Sequence, residues 1–257
     1  MAKFKFVKIS KNKKIRYLFI NSSSDIYVVF LHGFKSDLEG DKPKALYKFC
    51  KKNKIGFLAL EYSGHGKSYG KFENGTITSW TQDAKKIIRK KIRKKKIILV
   101  GSSMGGWIGL NLFRSFNKRI LGFIGIAPAP EFLERLMWKK FSNKVRKQLI
   151  NKKLYTFSHG GFEYNISYNL IEDGRKNKIF NKTYKNKIFL TILHGKKDDV
   201  VPISISRRVM RIFKNAKKKL IIIKTGDHSL SNKKNLKRLT KETAYIYNKL
   251  RPSLRVG

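Results

Sequence analysis

The stretch Ile97-Ile98-Leu99-Val100-Gly101-Ser102-Ser103-Met104-Gly105-Gly106 restricts the possible folds of this chain more than any other. Its opening run of branched apolar residues reads as a strand buried on both faces. The run enters Gly-x-Ser-x-Gly, and a helical apolar pattern from Met104 to Phe116 follows at once. So short a turn between strand and helix throws the central side chain clear of the sheet. Residues 101 and 105 must then be glycine, because neighbouring backbone crowds both positions. Ser103 is presented as a nucleophile, with Ser102 outside the central position. Glycines at a helix N-terminus also suit a phosphate, but no Walker lysine pattern follows.

The rest of the chain supplies the sheet that such a turn requires. Two short strands open it, Lys3 to Ile9 and Ile15 to Ile20, followed by apolar runs at Ile26 to Leu31, Ile55 to Leu60, Leu121 to Ile126, Ile188 to Leu193 and Leu220 to Ile223. Helical patterns lie between most of them, at Pro43 to Lys52, Thr78 to Arg93 and Ser204 to Lys214, and Ser231 to Leu250 closes the chain. Alternating strands and helices predict an α/β fold: a mostly parallel central sheet of about eight strands with helices on both faces. The alternation breaks once, where a helix-like stretch from Glu131 to Leu154 precedes an aromatic, Gly-containing segment, Tyr155 to Tyr184. That is too long for an ordinary connection. Residues 128–187 are therefore expected to form a small helical lid at the carboxyl edge of the sheet, and 1–127 with 188–257 the core.

An activated serine needs a base, and five histidines offer candidates. His32 and His194 precede glycines directly after strands, His65 lies in Gly64-His65-Gly66, and His159 falls inside the insertion. His228 sits in Thr225-Gly226-Asp227-His228-Ser229, after the last strand, which is where the order serine, acid, histidine puts the base. The acid belongs after the penultimate strand, where Asp198 and Asp199 are adjacent, and Asp227 is a further rival. The oxyanion of a tetrahedral intermediate needs preorganised donors. The Met104 N–H supplies one, and Phe30-Leu31-His32-Gly33-Phe34 supplies the other through the Phe34 N–H. Trp80 and Trp107 are read as core.

Composition removes other classes. The chain has 257 residues and one cysteine, Cys50, so an intramolecular disulfide is impossible, and the thiol reads as buried structure. No paired ligand spacing suggests a metal, and an activated serine with a histidine base needs no cofactor. No apolar run reaches the ~18–20 residues of a membrane span, and the N-terminus lacks the apolar core of a signal peptide, so a cytoplasmic protein is expected. The net charge of +44 could draw a polyanion. The basic residues are spread through every segment, however, as AT-rich codon usage would leave them, and a nucleic-acid partner is not expected.

Four stretches together resemble a known family: Phe30 to Ser36, Glu61-Tyr62-Ser63-Gly64-His65-Gly66-Lys67-Ser68 continuing to Phe72, Val100 to Trp107, and Leu193 to Pro202. It is the α/β-hydrolase family of the mitochondrial acyl-glucuronide esterase and palmitoyl-protein thioesterase with its bacterial relatives. The resemblance covers about Tyr27 to Tyr247, and the lack of an amphipathic presequence fits the bacterial branch. It implies an α/β-hydrolase fold and hydrolysis of carboxylic esters or thioesters in a capped pocket. The substrate would be a small acyl compound or an acylated protein. Ser103 would be nucleophile, His228 base and Asp198 the orienting acid, because Asp198-Asp199-Val200-Val201-Pro202 turns its first aspartate toward the histidine. The Gly64-His65-Gly66 turn would be structural. A peptidase or amidase with the same triad, and a basic polyanion-binding protein on this fold, are the alternatives.

Overall fold

Side chains on successive residues of a strand point to opposite faces, and in this chain both faces are apolar. In β3 (Ile26–Leu31), Tyr27, Val29 and Leu31 join one buried cluster, and Ile26, Val28 and Phe30 join another. The computed structural model describes residues 3–159 and 162–251. The ends of the expected core segments and the Gly160-Gly161 pair therefore lie outside the described residues. The central sheet also contains β1 (Lys5–Ser10), β2 (Lys13–Ile20), β4 (Gly56–Leu60), β5 (Lys96–Ser102) and β6 (Ile120–Ile126). After a hairpin of β7 (Leu154–His159) and β8 (Phe162–Ser167), β9 (Phe189–Gly195) and β10 (Lys217–Ile223) complete it. The eight strands lie in the order β1-β2-β4-β3-β5-β6-β9-β10, antiparallel through the β2–β4 pair and parallel from β4 onward.

Helices cover both faces, as expected. On one face α1 (Asp41–Lys52) and α7 (Lys233–Leu250) bring Leu46, Cys50, Leu239 and Ile246 against Val28, Ile98 and Ile124. On the other face α2 (Ile77–Ile92), α3 (Met104–Phe116) and α6 (Ile203–Ile212) pack on Val29, Leu99 and Phe123, with Trp80 and Trp107 fully buried. Both tryptophans are core residues, and each indole N–H is satisfied, by the Ser63 carbonyl at 3.0 Å and the Asn177 carbonyl at 2.9 Å. No helix among the described residues is long and apolar enough to cross a membrane.

The excursion between β6 and β9 is more varied than one helix and a loop. The helix expected over 131–154 is instead a π-helical turn (Leu133–Met137), a 3-10 turn (Trp138–Lys140) and α4 (Asn143–Lys152). The break comes at Phe141 and Ser142, both extended, where the Ser142 hydroxyl caps α4 by accepting the Val145 N–H at 3.3 Å. The aromatic segment forms the antiparallel β7–β8 hairpin and then α5 (Tyr168–Lys176). Buried Glu131 ties the start of the excursion to its end, accepting the Ile179 and Phe180 N–H groups at 2.9 and 2.8 Å and the Arg135 Nε–H at 2.8 Å. Thr78 of α2 donates its N–H and hydroxyl to Asp173 of α5 at 2.8 and 2.6 Å, which fixes the excursion to the core.

Candidate active site

Ser103 stands at the junction of β5 and α3 with φ 51°, left-handed backbone that a residue with a Cβ adopts only under constraint. The constraint comes from neighbouring backbone. The Ser103 N–H donates to the Ile126 carbonyl at 2.9 Å, and its carbonyl accepts the Gly106 and Ala129 N–H groups at 2.9 and 3.1 Å. A Cβ on Gly105 would lie 2.1 Å from the Leu31 carbonyl oxygen, and one on Gly101 would lie 2.6 Å from the Gly105 oxygen. Only glycine lets β5, α3 and the end of β3 approach this closely, which is the crowding that the sequence pattern implied.

The loops after β9 and β10 bring two more side chains to this serine. His228 Nε2 lies 3.1 Å from Ser103 Oγ, and His228 Nδ1 lies 2.9 Å from Asp198 Oδ2. Those partners define the neutral tautomer: Nδ1–H donates to the carboxylate, and Nε2 accepts the serine hydroxyl. The Asp198 side chain is fully buried, and its Oδ1 accepts the Val200 and Val201 N–H groups at 3.0 and 2.8 Å. Burial alone would raise the carboxyl, but the bonds from His228 and Val201 prevail and hold it below the ordinary carboxylate range. The other two aspartates are placed differently. Asp199 is exposed, and Asp227 accepts the Leu230 N–H at 2.8 Å.

His194 Nε2 lies 3.5 Å from Asp198 Oδ2, but its shorter contacts are to other groups. Its Nδ1 pairs with Ser206 Oγ at 2.7 Å and its Nε2 with the Val201 carbonyl at 2.9 Å, and burial pushes its pKa down. The two loops are pressed together: a Cβ on Gly195 would come within 2.3 Å of the Gly226 carbonyl oxygen, to which the Lys197 N–H donates at 2.9 Å. A residue that sequence reasoning missed secures the histidine loop from α1. Lys42, in the first turn of α1, donates to the Ser229 carbonyl and to Ser231 Oγ at 2.5 and 2.9 Å. As one of 60 basic residues, it carried no sequence signal.

The segments that carry the expected oxyanion donors adjoin the serine. A Cβ on Gly33 would be 3.5 Å from Ser103 Cβ, so the loop after β3 runs past the nucleophile and carries the Phe34 amide with it. No side chain caps α3, whose first residue is Met104. Below the loop, His32 donates from Nδ1 to the Gly33 carbonyl at 2.8 Å and accepts the Tyr62 N–H at 3.4 Å. Its burial lowers its pKa to about 4. His65, also buried, packs its ring 5.0 Å from that of His32. The turn around His65 is scaffolding: a Cβ on Gly66 (φ 52°) would lie 2.3 Å from the Glu61 carboxyl carbon, and Glu61 is bound by the Lys67 N–H and by Arg16 at 2.8 and 3.1 Å.

A cavity of about 690 Å³ opens on Ser103 and His228. Phe34 lines it together with Phe132, Leu136, Met137 and Tyr164 of the excursion, and Asp37, Asp41, Lys42, Lys140 and Asp199 line it as well. The Tyr164 ring is stacked on that of Phe34, with centroids 6.0 Å apart. The cluster of Phe34, Phe132, Leu136, Met137 and Tyr164 gives that space an apolar side suited to an apolar group.

The chain matches the model of the family described as Serine aminopeptidase, S33 (Hydrolase_4) over residues 22–158. It is 27% identical over 227 residues to the mitochondrial palmitoyl-protein thioesterase ABHD10 of Bos taurus, covering 87% of this chain and 73% of that protein. A solved structure from Agrobacterium vitis S4 superposes with a TM-score of 0.88 at 26% identity, covering 96% of this chain and 98% of the other. The structure of alpha/beta hydrolase domain-containing protein 10 from mouse superposes with a TM-score of 0.86 at 25% identity, covering 97% and 100%. The architecture is that of the α/β hydrolases.

Proposed function

The chain belongs to the serine aminopeptidase S33 family of hydrolases, and from that premise we propose that it cleaves carboxylic esters or thioesters through an acyl-enzyme on Ser103. The observation that carries this reading is the continuous chain of hydrogen bonds from Ser103 through His228 to buried Asp198, beside a cavity with an apolar, aromatic side. His228 takes the Ser103 proton as Oγ bonds to the acyl carbon, and the amides of Phe34 and Met104 stabilise the oxyanion. The bond to the leaving group then breaks, and the leaving oxygen or sulfur receives the proton from His228. Water, deprotonated by the same base, attacks the acyl-serine and restores the free hydroxyl. Asp198 keeps the imidazole in the accepting tautomer and offsets its positive charge. Residues 128–187 act as the lid that walls the acyl cavity, and an acylated protein or small molecule is the substrate, as the name of the bovine relative suggests. With one cysteine and no disulfide to form, the protein suits a reducing compartment, and we place it in the cytoplasm.

The decisive test is hydrolysis of p-nitrophenyl esters from acetate to palmitate by wild type and Ser103→Ala. Loss of turnover by about three orders of magnitude or more in a folded variant is expected, and equal rates would sink the reading. The family's description favours one second reading, an amide-cleaving enzyme with the same residues. An aminoacyl anilide turned over faster than the matching ester would select it.

A further inference from the structure

Beside the acyl cavity lies a second concavity of about 380 Å³ whose lining is charged. Arg135, Lys139, Arg175, Lys178 and Arg208 converge there. Only Glu131 and Glu134 answer them, and each is taken: Glu131 by Arg135 and Glu134 by Arg175, both at 2.8 Å. Arg208, Lys139 and Lys178 form no ion pair among the described residues. One member of that surplus, Arg208, is held in place by an aromatic ring. The Phe180 ring carries the Arg208 guanidinium 4.3 Å from its centroid and that of Arg135 at 5.3 Å. Arg135 commits its Nε–H to Glu131, whereas stacking leaves the in-plane N–H donors of Arg208 free for an oxyanion. Three uncompensated cations around one hollow fit a multiply charged group, which phosphate supplies and a single carboxylate does not.

The two concavities share a wall. Phe132 and Leu136 line the acyl cavity, Phe180 lines the charged one, and all three pack on Ala129, Val201 and Ile205. Val201 is the residue whose N–H holds Asp198. A substrate with its acyl chain in the first cavity therefore has, across that wall, a cationic hollow built from the excursion and from Arg208 of α6.

We propose that this charged cavity binds the phosphate-bearing part of a leaving group, so that the substrates are thioesters of phosphorylated thiols of the coenzyme A type. The inference rests on the ester or thioester reading of Ser103. In the reaction the acyl group passes to Ser103 Oγ as the C–S bond breaks, and the phosphorylated thiol departs with the proton from His228.

The test compares octanoyl-coenzyme A with octanoyl-N-acetylcysteamine, which has the same thioester and no phosphate, at fixed ionic strength. The ratio of their kcat/KM values should favour the coenzyme A thioester. Arg208→Gln should lower that ratio about tenfold through KM, the scale of losing one charge-assisted contact, and Arg207→Gln, exposed on the same helix outside the cavity, should leave the ratio in place. A ratio near one, or equal effects of the two variants, would overturn the proposal while p-nitrophenyl ester hydrolysis still upheld the activity of Ser103. Calorimetry with inorganic pyrophosphate tests the site without turnover. Binding by wild type and by Arg207→Gln, lost in Arg208→Gln, supports it, and absence of binding, or binding insensitive to Arg208, overturns it.

Discussion

His32 shows how one buried side chain can set the pH limits of this fold. It is neutral in the folded chain, with its pKa lowered to about 4 by burial, whereas an unfolded histidine titrates near ~6.5. Between those values the unfolded state binds the extra proton, so acid favours unfolding: the stability linked to His32 is intact above the unfolded value and falls as pH drops toward the folded one. The linked loss is about 3 kcal/mol. Urea unfolding midpoints should therefore drop between pH 7 and 4, and His32→Gln should flatten that slope. Equal slopes would remove His32 from the account. Lys42 acts on the chemistry from outside the triad. Lys42→Met should lower kcat about tenfold with little change in KM, because it frees the loop that aims His228, and Lys42→Arg should restore part of the loss. A raised KM at constant kcat would instead assign Lys42 to substrate binding.

Among the elements, the junction of β5 with α3 is the least tolerant of change. Gly105→Ala puts a methyl group against the backbone of β3, which has no rotamer with which to yield. A loss of at least about 3 kcal/mol in denaturant unfolding is expected, beyond ordinary overpacking. This junction was legible because its steric demand leaves so few residue choices. The strands of the sheet were legible for a related reason: β3, β4 and β5 are buried on both faces, and burial leaves an unbroken apolar run. At the edge the signal fades. β10 begins with exposed Lys217, Lys218 and Lys219, so only its apolar end from Leu220 could be read. The β7–β8 hairpin was missed for another reason. Its strands alternate imperfectly with aromatic residues, and the sign that could have found it, the Gly160-Gly161 pair between them, is a hairpin signal outweighed by the helical pattern before it. Of the candidate site, chain order pointed to the serine and the histidine and the family resemblance chose Asp198 among the aspartates, whereas Lys42, Glu131 and Arg208 depend on contacts between segments far apart in sequence.

For the molecule as a whole the governing quantity is the charge. With +44 on 257 residues, like charges repel across the folded surface and relax when the chain expands. Salt screens this repulsion over roughly 10 Å at 0.1 M. The thermal midpoint should therefore rise from 10 to 150 mM NaCl, by a few degrees, and a midpoint indifferent to salt would mean that local carboxylates already neutralise the field. The same molecule has a single sulfhydryl, Cys50, at 0% exposure between α1 and the sheet, with its pKa pushed well up by burial. A thiol in that position is chemically silent until the helix lifts from the strands. Its reaction with an aromatic disulfide reagent thus counts openings of the native core one molecule at a time, a built-in clock for conformational lifetime that needs no introduced label.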